Sequence, residues 1–244
     1  MKKIASCFIL FHLATIGFAG KLPPTFKKCH KNDSKCLSEA AADGIKQLNK
    51  PVKEANLPSL EPLEIPSLTI GAGNGPVGLE QKFKNVKIYG FTKPTTTQFE
   101  LDLEAKTARL ECDFDEIKLV ADYDINGKIL LLPVYGSGPA QVTMEKVHGF
   151  EKFTLEEYEK KGKKHLKVVS GVLSLEPSLM KFNFENLFNG DKSLGDNINQ
   201  VVNENWKEVF GDIRASYEDA FGQIIMGLFN NMLAKIPIEE LLEQ

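Results

Sequence analysis

Between Gln81 and Phe184 apolar and polar residues alternate with a period of two, and beyond Lys192 the period lengthens to that of a helix. The alternating stretches include Phe99-Leu101-Leu103, Leu110-Cys112-Phe114, Ile117-Leu119-Ala121-Tyr123, Val142-Met144 and Leu166-Val168. They predict antiparallel strands with one apolar face. Asn126-Gly127 is the strongest two-residue hairpin signal, and a second turn is expected at Lys161-Gly162. From Lys192 to Lys235 there is no proline, and apolar residues recur from Leu194 and Ile198 through to Leu228 and Leu233. That spacing predicts one unbroken helix, roughly 65 Å long.

The second half of this helix loses its polar face. Ala220 to Ala234 carries no charge, and Phe221, Ile224, Ile225, Met226, Leu228, Phe229, Met232 and Leu233 point in nearly every direction. A helix that is apolar all round is expected to be buried all round. Gln223, Asn230 and Asn231 interrupt the run, which is also shorter than the roughly 20 residues of a membrane span. Something in the same protein must therefore wrap it.

Upstream of the alternating region, Ser38 to Asn49 fits a short helix that Pro51 ends, and residues 51–79 read as extended chain and turns. The expected class is α+β. A long C-terminal helix is wrapped by a strongly curved antiparallel sheet that encloses an apolar tunnel. No linker or repeat divides residues 20–244, which form one expected domain.

Met1-Lys2-Lys3 and the apolar run Ile4 to Phe18 fit a signal peptide, residues 1–19, with cleavage after Ala19. Processing removes two lysines from the 30 basic residues and none of the 33 acidic ones, an ordinary balance for a secreted protein and no support for nucleic-acid binding. Cys7 leaves with the leader. Cys29 and Cys36 flank a polar segment and should form a small disulfide loop in an oxidising compartment. Asn32 within that loop begins a glycosylation sequon. Cys112 is left without a partner and alternates with Leu110 and Phe114, which reads as a buried inert thiol.

Motifs for chemistry are decoys. Gly73-Asn-Gly75-Pro-Val-Gly78 matches a dinucleotide fingerprint in letters, but Pro76 interrupts it and a strand follows instead of a helix. Asp122-Tyr-Asp124-Ile-Asn126-Gly127 imitates half a calcium loop, with Pro133 where the twelfth-position Glu belongs. Gly136-Ser137-Gly138 lacks the spacing of a nucleophile elbow. His30, His148 and His165 form no metal or triad pattern, so no metal, cofactor or catalytic residue is expected. Lys160-Lys161-Gly162-Lys163-Lys164 is either a solvated hairpin tip or a docking point for anionic lipid or a receptor.

The run Pro62-Leu-Glu-Ile-Pro-Ser-Leu-Thr-Ile-Gly71, then Gly75-Pro-Val-Gly78 and Asn85-Val-Lys-Ile-Tyr-Gly90, joins the cysteine pair in a wider pattern. Asn203-Glu-Asn205-Trp206-Lys-Glu208-Val209, Ala220-Phe221 and Ile236-Pro237-Ile-Glu-Glu-Leu-Leu242 complete it. With these in place the chain resembles the insect takeout and haemolymph juvenile-hormone-binding protein family over its whole mature length. The resemblance implies a long helix in a curved sheet, an apolar internal tunnel and a Cys29–Cys36 disulfide. Two departures favour the takeout branch. Ala215 stands where takeout-like chains often place a proline, and Cys112 alone cannot supply the second cysteine pair of juvenile-hormone binders in the strict sense.

The expected function is a secreted carrier of a small hydrophobic molecule, such as a juvenile-hormone-like terpenoid, a fatty acid or another lipid. Such a protein is expected to be an extracellular monomer with no stable membrane insertion. Alternatives are a membrane- or receptor-docking protein that delivers lipid and, third, a lipid hydrolase. Burying about 400 Å² of apolar ligand surface would supply on the order of 10 kcal/mol before entropy costs. Candidate walls are Phe99, Leu101, Leu103, Leu110, Phe114, Leu119 and Tyr123 from the sheet, and Val202, Trp206, Val209, Ile213 and Phe221 from the helix. Plain core packing is the competing reading for each. Tyr123 brings a hydroxyl able to orient a ligand's polar end.

Overall fold

The computed structural model describes residues 20–73, 75, 77–129 and 132–243, so the expected leader, residues 1–19, lies outside the described residues. The two-residue strand β1 (Cys29–His30) leads into helix α1 (Ser34–Gln47). This helix starts earlier than its apolar spacing suggests, because the Asp33 side chain accepts a hydrogen bond from the Cys36 amide and caps it. The Cys29–Cys36 disulfide ties β1 to α1, and Cys112 is free and buried.

The body is one antiparallel sheet of β2 (Leu63–Ile70), β3 (Val77–Tyr89), β4 (Pro94–Asp102), β5 (Thr107–Ile129), β6 (Leu132–Lys160) and β7 (Lys163–Phe184). Its order is β2-β3-β5-β6-β7, and β4 pairs with the first part of β5 while β3 pairs with the rest. β6 alone has 29 residues, which laid straight would span roughly 95 Å. It does not stay straight. Register shifts between Lys84 and Lys87, Pro94 and Thr96, and Thr154 and Leu155 are bulges of the kind that bend and twist strands.

The turn at Lys161-Gly162 joins β6 to β7, with both residues at positive φ (54° and 74°) as a tight two-residue hairpin requires. The hairpin expected at Asn126-Gly127 is not there. Both residues lie inside β5, whose pairing with β6 continues to Ile129 opposite Leu132. Gly127 serves a different need: a Cβ at that position would collide with the Gly78 carbonyl on β3. The glycine permits close approach of two backbones rather than a turn.

The C-terminal rod is two helices, α2 (Lys192–Glu204) and α3 (Trp206–Leu233), which corrects the expectation of one. Asn205 separates them at φ −109°, ψ 25°. Its side-chain amide donates to the Val201 carbonyl at 2.8 Å and so competes with the backbone ladder. α3 runs through Arg214-Ala215 without a break, as the missing proline implies.

Why the helices lie where they do follows from the sheet's edges. β7 would leave a row of unpaired backbone groups, and helical side chains satisfy them. Asn199 bonds both the amide and the carbonyl of Phe184, at 3.0 and 2.9 Å. Asn203 does the same to Phe182 (2.8 and 2.7 Å), and Asn230 to Val168 (2.8 and 3.0 Å). Glu218 accepts from the Leu175 amide at 2.9 Å. Helix positions rise as strand positions fall, so the rod runs antiparallel along β7. α3 also packs on β2, at the opposite end of the strand order, and the Tyr217 hydroxyl donates to Gln81 on β3 at 3.2 Å. One helix reaching both ends of the strand order requires the sheet to curl around it. The short helix α4 (Ile238–Leu241) and strand β8 (Leu242–Glu243), parallel to β1, close one end of the molecule.

Candidate functional site

Two apolar clusters fill the curl. The larger joins β2, β3 and the second half of β5 to Ile198, Val202, Val209, Phe210, Ile213 and Tyr217. The smaller gathers Ala108, Phe153, Leu155, Leu166, Val168 and Leu233, with Phe99, Leu101, Leu103, Leu110 and Phe229 packed against it. Between the second half of α3, the sheet and α1 lies a cavity of about 330 Å³, within the range of sites that enclose small organic molecules.

Its walls are apolar side chains from every surrounding element. α3 contributes Phe221, Ile224, Ile225, Leu228, Phe229, Met232 and Leu233, and α1 contributes Leu37, Ala40, Ala41, Ile45 and Leu48. Phe99 and Leu101 come from β4, Leu110, Phe114 and Ile117 from β5, Phe153 and Leu155 from β6, and Leu166, Val168, Leu173 and Leu175 from β7. Leu22, Phe26, Cys29 and Leu242 line the end where the termini meet. The disulfide loop therefore anchors a wall of this space as well as the N-terminal segment.

The cavity also revises the expectation that Ala220–Ala234 is buried all round. Phe221 and Leu233 are buried, but Ile224, Ile225, Leu228, Phe229 and Met232 keep part of their surface accessible and line the cavity. One uncharged side of the helix borders the cavity, and another, with Gln223, Gly227 and Asn231, is exposed.

Of the twelve expected wall residues, the structure brings five to the cavity: Phe99, Leu101, Leu110, Phe114 and Phe221. Leu103 packs against the smaller cluster without reaching the cavity. Leu119, Val202, Val209 and Ile213 are at most 2 % exposed inside the larger cluster, where they serve packing, and Trp206 covers that cluster's flank. Tyr123 is committed elsewhere. Its hydroxyl donates to the Glu185 carbonyl at 2.7 Å, and burial pushes its pKa up to about 12.

Three polar side chains line the cavity: Lys27, Cys112 and Glu151. Lys27 is exposed and paired with Glu39 at 2.8 Å. Cys112 contacts the Thr97 hydroxyl, and burial raises its thiol to about 11, which fits an inert thiol. Glu151 is different. It is 2 % exposed, and among the described residues no group hydrogen-bonds either of its carboxyl oxygens. Burial pushes that carboxyl up to about 8, with no other cause acting. Sequence reasoning passed over it, although Glu151, Phe153 and Leu155 alternate with the polar Lys152 and Thr154. A charge-capable residue in phase with Phe153 and Leu155 was the available signal.

The remaining candidate chemistry sits outside this space. The loop at Gly73 and Gly75 presents amides to Asp212 of α3, which accepts from Gly75 and Val77 at 2.6 Å each. Its anion-binding capacity is taken up by the chain's own carboxylate. Asp122 and Asp124 lie within β5, and Asn85 donates to Asp122 at 2.7 Å. His148 meets Asp113 at 2.8 Å, while His165 bonds the Leu233 carbonyl at 2.9 Å. Among the described residues no cluster of three or more His, Cys, Asp or Glu is placed to hold a metal, and no helix is long and apolar enough to cross a membrane. At the hairpin tip Lys160 bonds the Ala234 carbonyl, Lys163 pairs with Glu239 and Lys164 with Glu157. Three of the four lysines there are engaged within the molecule.

Residues 5–243 match the family described as Haemolymph juvenile hormone binding protein (JHBP). The chain is 24% identical over 237 residues to the circadian clock-controlled protein daywake of Drosophila melanogaster, covering 91% of this chain and 88% of that one. It is 31% identical over 97 residues to the juvenile hormone-binding protein of Manduca sexta, covering 40% and 42% of the two chains. The crystal structure of Epiphyas postvittana Takeout 1 superposes with a TM-score of 0.78 at 22% identity, over 89% of this chain and 99% of that one. That likeness is one of fold: a long helix held in a curled antiparallel sheet.

Proposed function

The chain belongs to the haemolymph juvenile hormone binding protein family, and on that premise we propose that it is a secreted, non-catalytic carrier of a small hydrophobic molecule. The observation that carries this reading is the apolar cavity beside α3, walled by α1, the sheet and the segments of the paired termini. Its ligand is a terpenoid, a fatty acid or another lipid. Apolar walls supply affinity through area removed from water, and the few polar groups fix orientation. Secretion is supported by the leader-like first 19 residues and the Cys29–Cys36 disulfide, which suits an oxidising compartment. Asn32 lies exposed at the start of α1 and is proposed to carry glycan when the protein passes through a secretory host.

The test is to purify the full chain from insect-cell medium, extract it with organic solvent and identify what is released by mass spectrometry. A lipid recovered near one per protein, and competitive displacement of the apolar dye N-phenyl-1-naphthylamine by that lipid, are expected. A protein that yields no lipid and binds no dye is not a carrier.

A further inference from the structure

Within this carrier reading, the buried acid in the cavity wall defines which hydrophobic molecules fit. Glu151 occupies an inward position of β6, opposite Leu110 on β5 and Leu173 on β7. Space for its carboxyl is made by two glycines. A Cβ at Gly171 would lie 2.8 Å from Glu151 Oε1, and one at Gly222 of α3 would lie 3.6 Å from it. The site thus holds an acid where Phe153 and Leu155 set the rule, and leaves both its oxygens without a protein partner. An unsatisfied polar group in an apolar interior is costly, so a partner from outside the protein has much to gain by meeting it.

The chemistry of that partner follows from what faces the carboxyl. Leu110, Leu173, Gly171, Gly222 and Met226 bring no charge. Arg109 and Glu111, flanking Leu110, pair with each other at 2.6 Å. On α3, Glu218 one turn before Gly222 pairs with Arg214, which also nears Glu176. Cys112, the other titratable group on the β5 wall, stays protonated. Lys27, on the cavity's rim, is exposed and paired with Glu39, so among the described residues no free cation offsets Glu151. The site therefore disfavours an ionised carboxyl and, for the same reason, a ligand anion. A protonated carboxyl has one O–H to donate.

We propose that Glu151 is the specificity-determining residue of the cavity, donating a hydrogen bond from its carboxyl O–H to a neutral oxygen acceptor, an ester, ketone or aldehyde, on an otherwise apolar ligand. Free fatty-acid anions are then poor ligands, because they bring a second acceptor and an uncompensated charge to the same place. Burial holds the Glu151 proton up to about pH 8, so the donor is present at neutral pH and is lost in alkali.

The experiment uses the full secreted chain, delipidated, with N-phenyl-1-naphthylamine as the reporter. Methyl laurate, lauric acid and dodecane compete for the dye at pH 6.5 and 9.5. At pH 6.5 methyl laurate should displace it about tenfold better than dodecane, the size of one buried hydrogen bond, and better than laurate. At pH 9.5 the advantage over dodecane should vanish while dodecane itself is unchanged. Glu151→Leu should erase the ester preference at both pH values. Glu151→Gln keeps a donor that does not titrate, so it should preserve the preference at both. Equal displacement by ester and dodecane in the wild type at pH 6.5, or a pH dependence that survives in Glu151→Gln, overturns the proposal. Should Glu151→Leu fail to fold, the Glu151→Gln comparison still decides. Dye binding without ester preference refutes only the role of Glu151, whereas no dye binding at either pH removes the carrier reading and this proposal with it.

Discussion

Along α3, Val209, Ile213 and Tyr217 are 2, 1 and 0 % exposed, while three turns later Ile224, Ile225 and Leu228 border a cavity of about 330 Å³. Both halves belong to one helix and both are apolar on their inward side. The difference lies in what the inward side meets, since one exposed stripe (Glu208, Gly211, Ala215, Asp219, Gln223, Gly227 and Asn231) runs along both halves. Around the first half Asp212 bonds Gly75 and Val77 while Arg214 and Glu218 bond β7, so the sheet closes directly on the apolar stripe. Around the second half α1 and β4 join the sheet as further walls of the cavity. Parts of this surround are poor in bulk, with Ala40, Ala41 and Gly44 on α1, Ala108 on β5 and Gly149 on β6 along the cavity. Where small residues face large ones, the interior cannot close, and space remains. The solid half provides stability and the hollow half provides a site.

The largest expected effect tests this division directly. Tyr217→Ala removes a fully buried ring stacked 6.2 Å from Phe221 and leaves Gln81 without its hydroxyl partner, so it should cost about 4 kcal/mol. Leu228→Ala trims a side chain that already borders space, and should cost about 1–2 kcal/mol. Urea unfolding followed by fluorescence of Trp206, the sole tryptophan, measures both. Equal losses would mean that the two halves are packed alike.

A second test concerns the charge-capable group on the hollow side. The native Glu151 carboxyl keeps its proton to about pH 8, whereas the unfolded chain releases it near the ordinary glutamate value of 4.5. Between those values the folded state binds more protons, so stability falls as pH rises across this window and levels off above it. The wild type should lose roughly 3–4 kcal/mol between pH 5 and 8 beyond whatever Glu151→Gln loses. Parallel pH profiles for the two proteins would show that the carboxyl ionises freely in the folded chain.

How far the sequence reaches follows the same division. The strand region, the curled sheet and the long apolar helix were readable, because period-two and helical spacings are direct consequences of one buried face. The break at Asn205 was not, since an asparagine within a helical stripe announces a side-chain bond to Val201 only once the rod is laid along β7. Nor was the role of Asn199, Asn203 and Asn230 as partners for an edge strand, Asn230 having read as an interruption of the apolar run. Among the wall residues, Leu119, Val202, Val209 and Ile213 alternate as regularly as Leu101 and Leu110. Periodicity identifies an inward face but does not tell whether atoms or space lie opposite. The uncharged stretch Ala220–Ala234 does coincide with the cavity, although Gln223, Gly227 and Asn231 keep an exposed stripe instead of the all-round burial expected.

Enlarging side chains should separate the halves next. Ile213→Trp forces extra volume into a filled core and is expected to destabilise by about 1–3 kcal/mol without touching the cavity. Phe221→Trp extends a residue that lines it, and should lower dye affinity while the protein stays folded. Unchanged dye binding by a folded Phe221→Trp protein would remove Phe221 from the wall.

The smallest effect gives the finest comparison, because the chemical change is identical on both sides. Ile213→Val and Ile225→Val each delete one methylene group. At Ile213 that group touches atoms on every side, and the deletion should cost about 1 kcal/mol from lost transfer energy and the small void left behind. At Ile225 the surface facing the cavity has few neighbours to lose, because dispersion contacts exist only where atoms adjoin. A cost of about 0.3 kcal/mol is expected there, close to the resolution of paired urea titrations. The two variants should also part in binding. Ile225→Val enlarges the cavity slightly and weakens dye contact, whereas Ile213→Val leaves binding untouched as long as the protein is folded. Should Ile225→Val prove as costly as Ile213→Val with dye affinity unaltered, the second half of α3 would have to be as solid as the first, and the space beside it would not be where an apolar molecule sits.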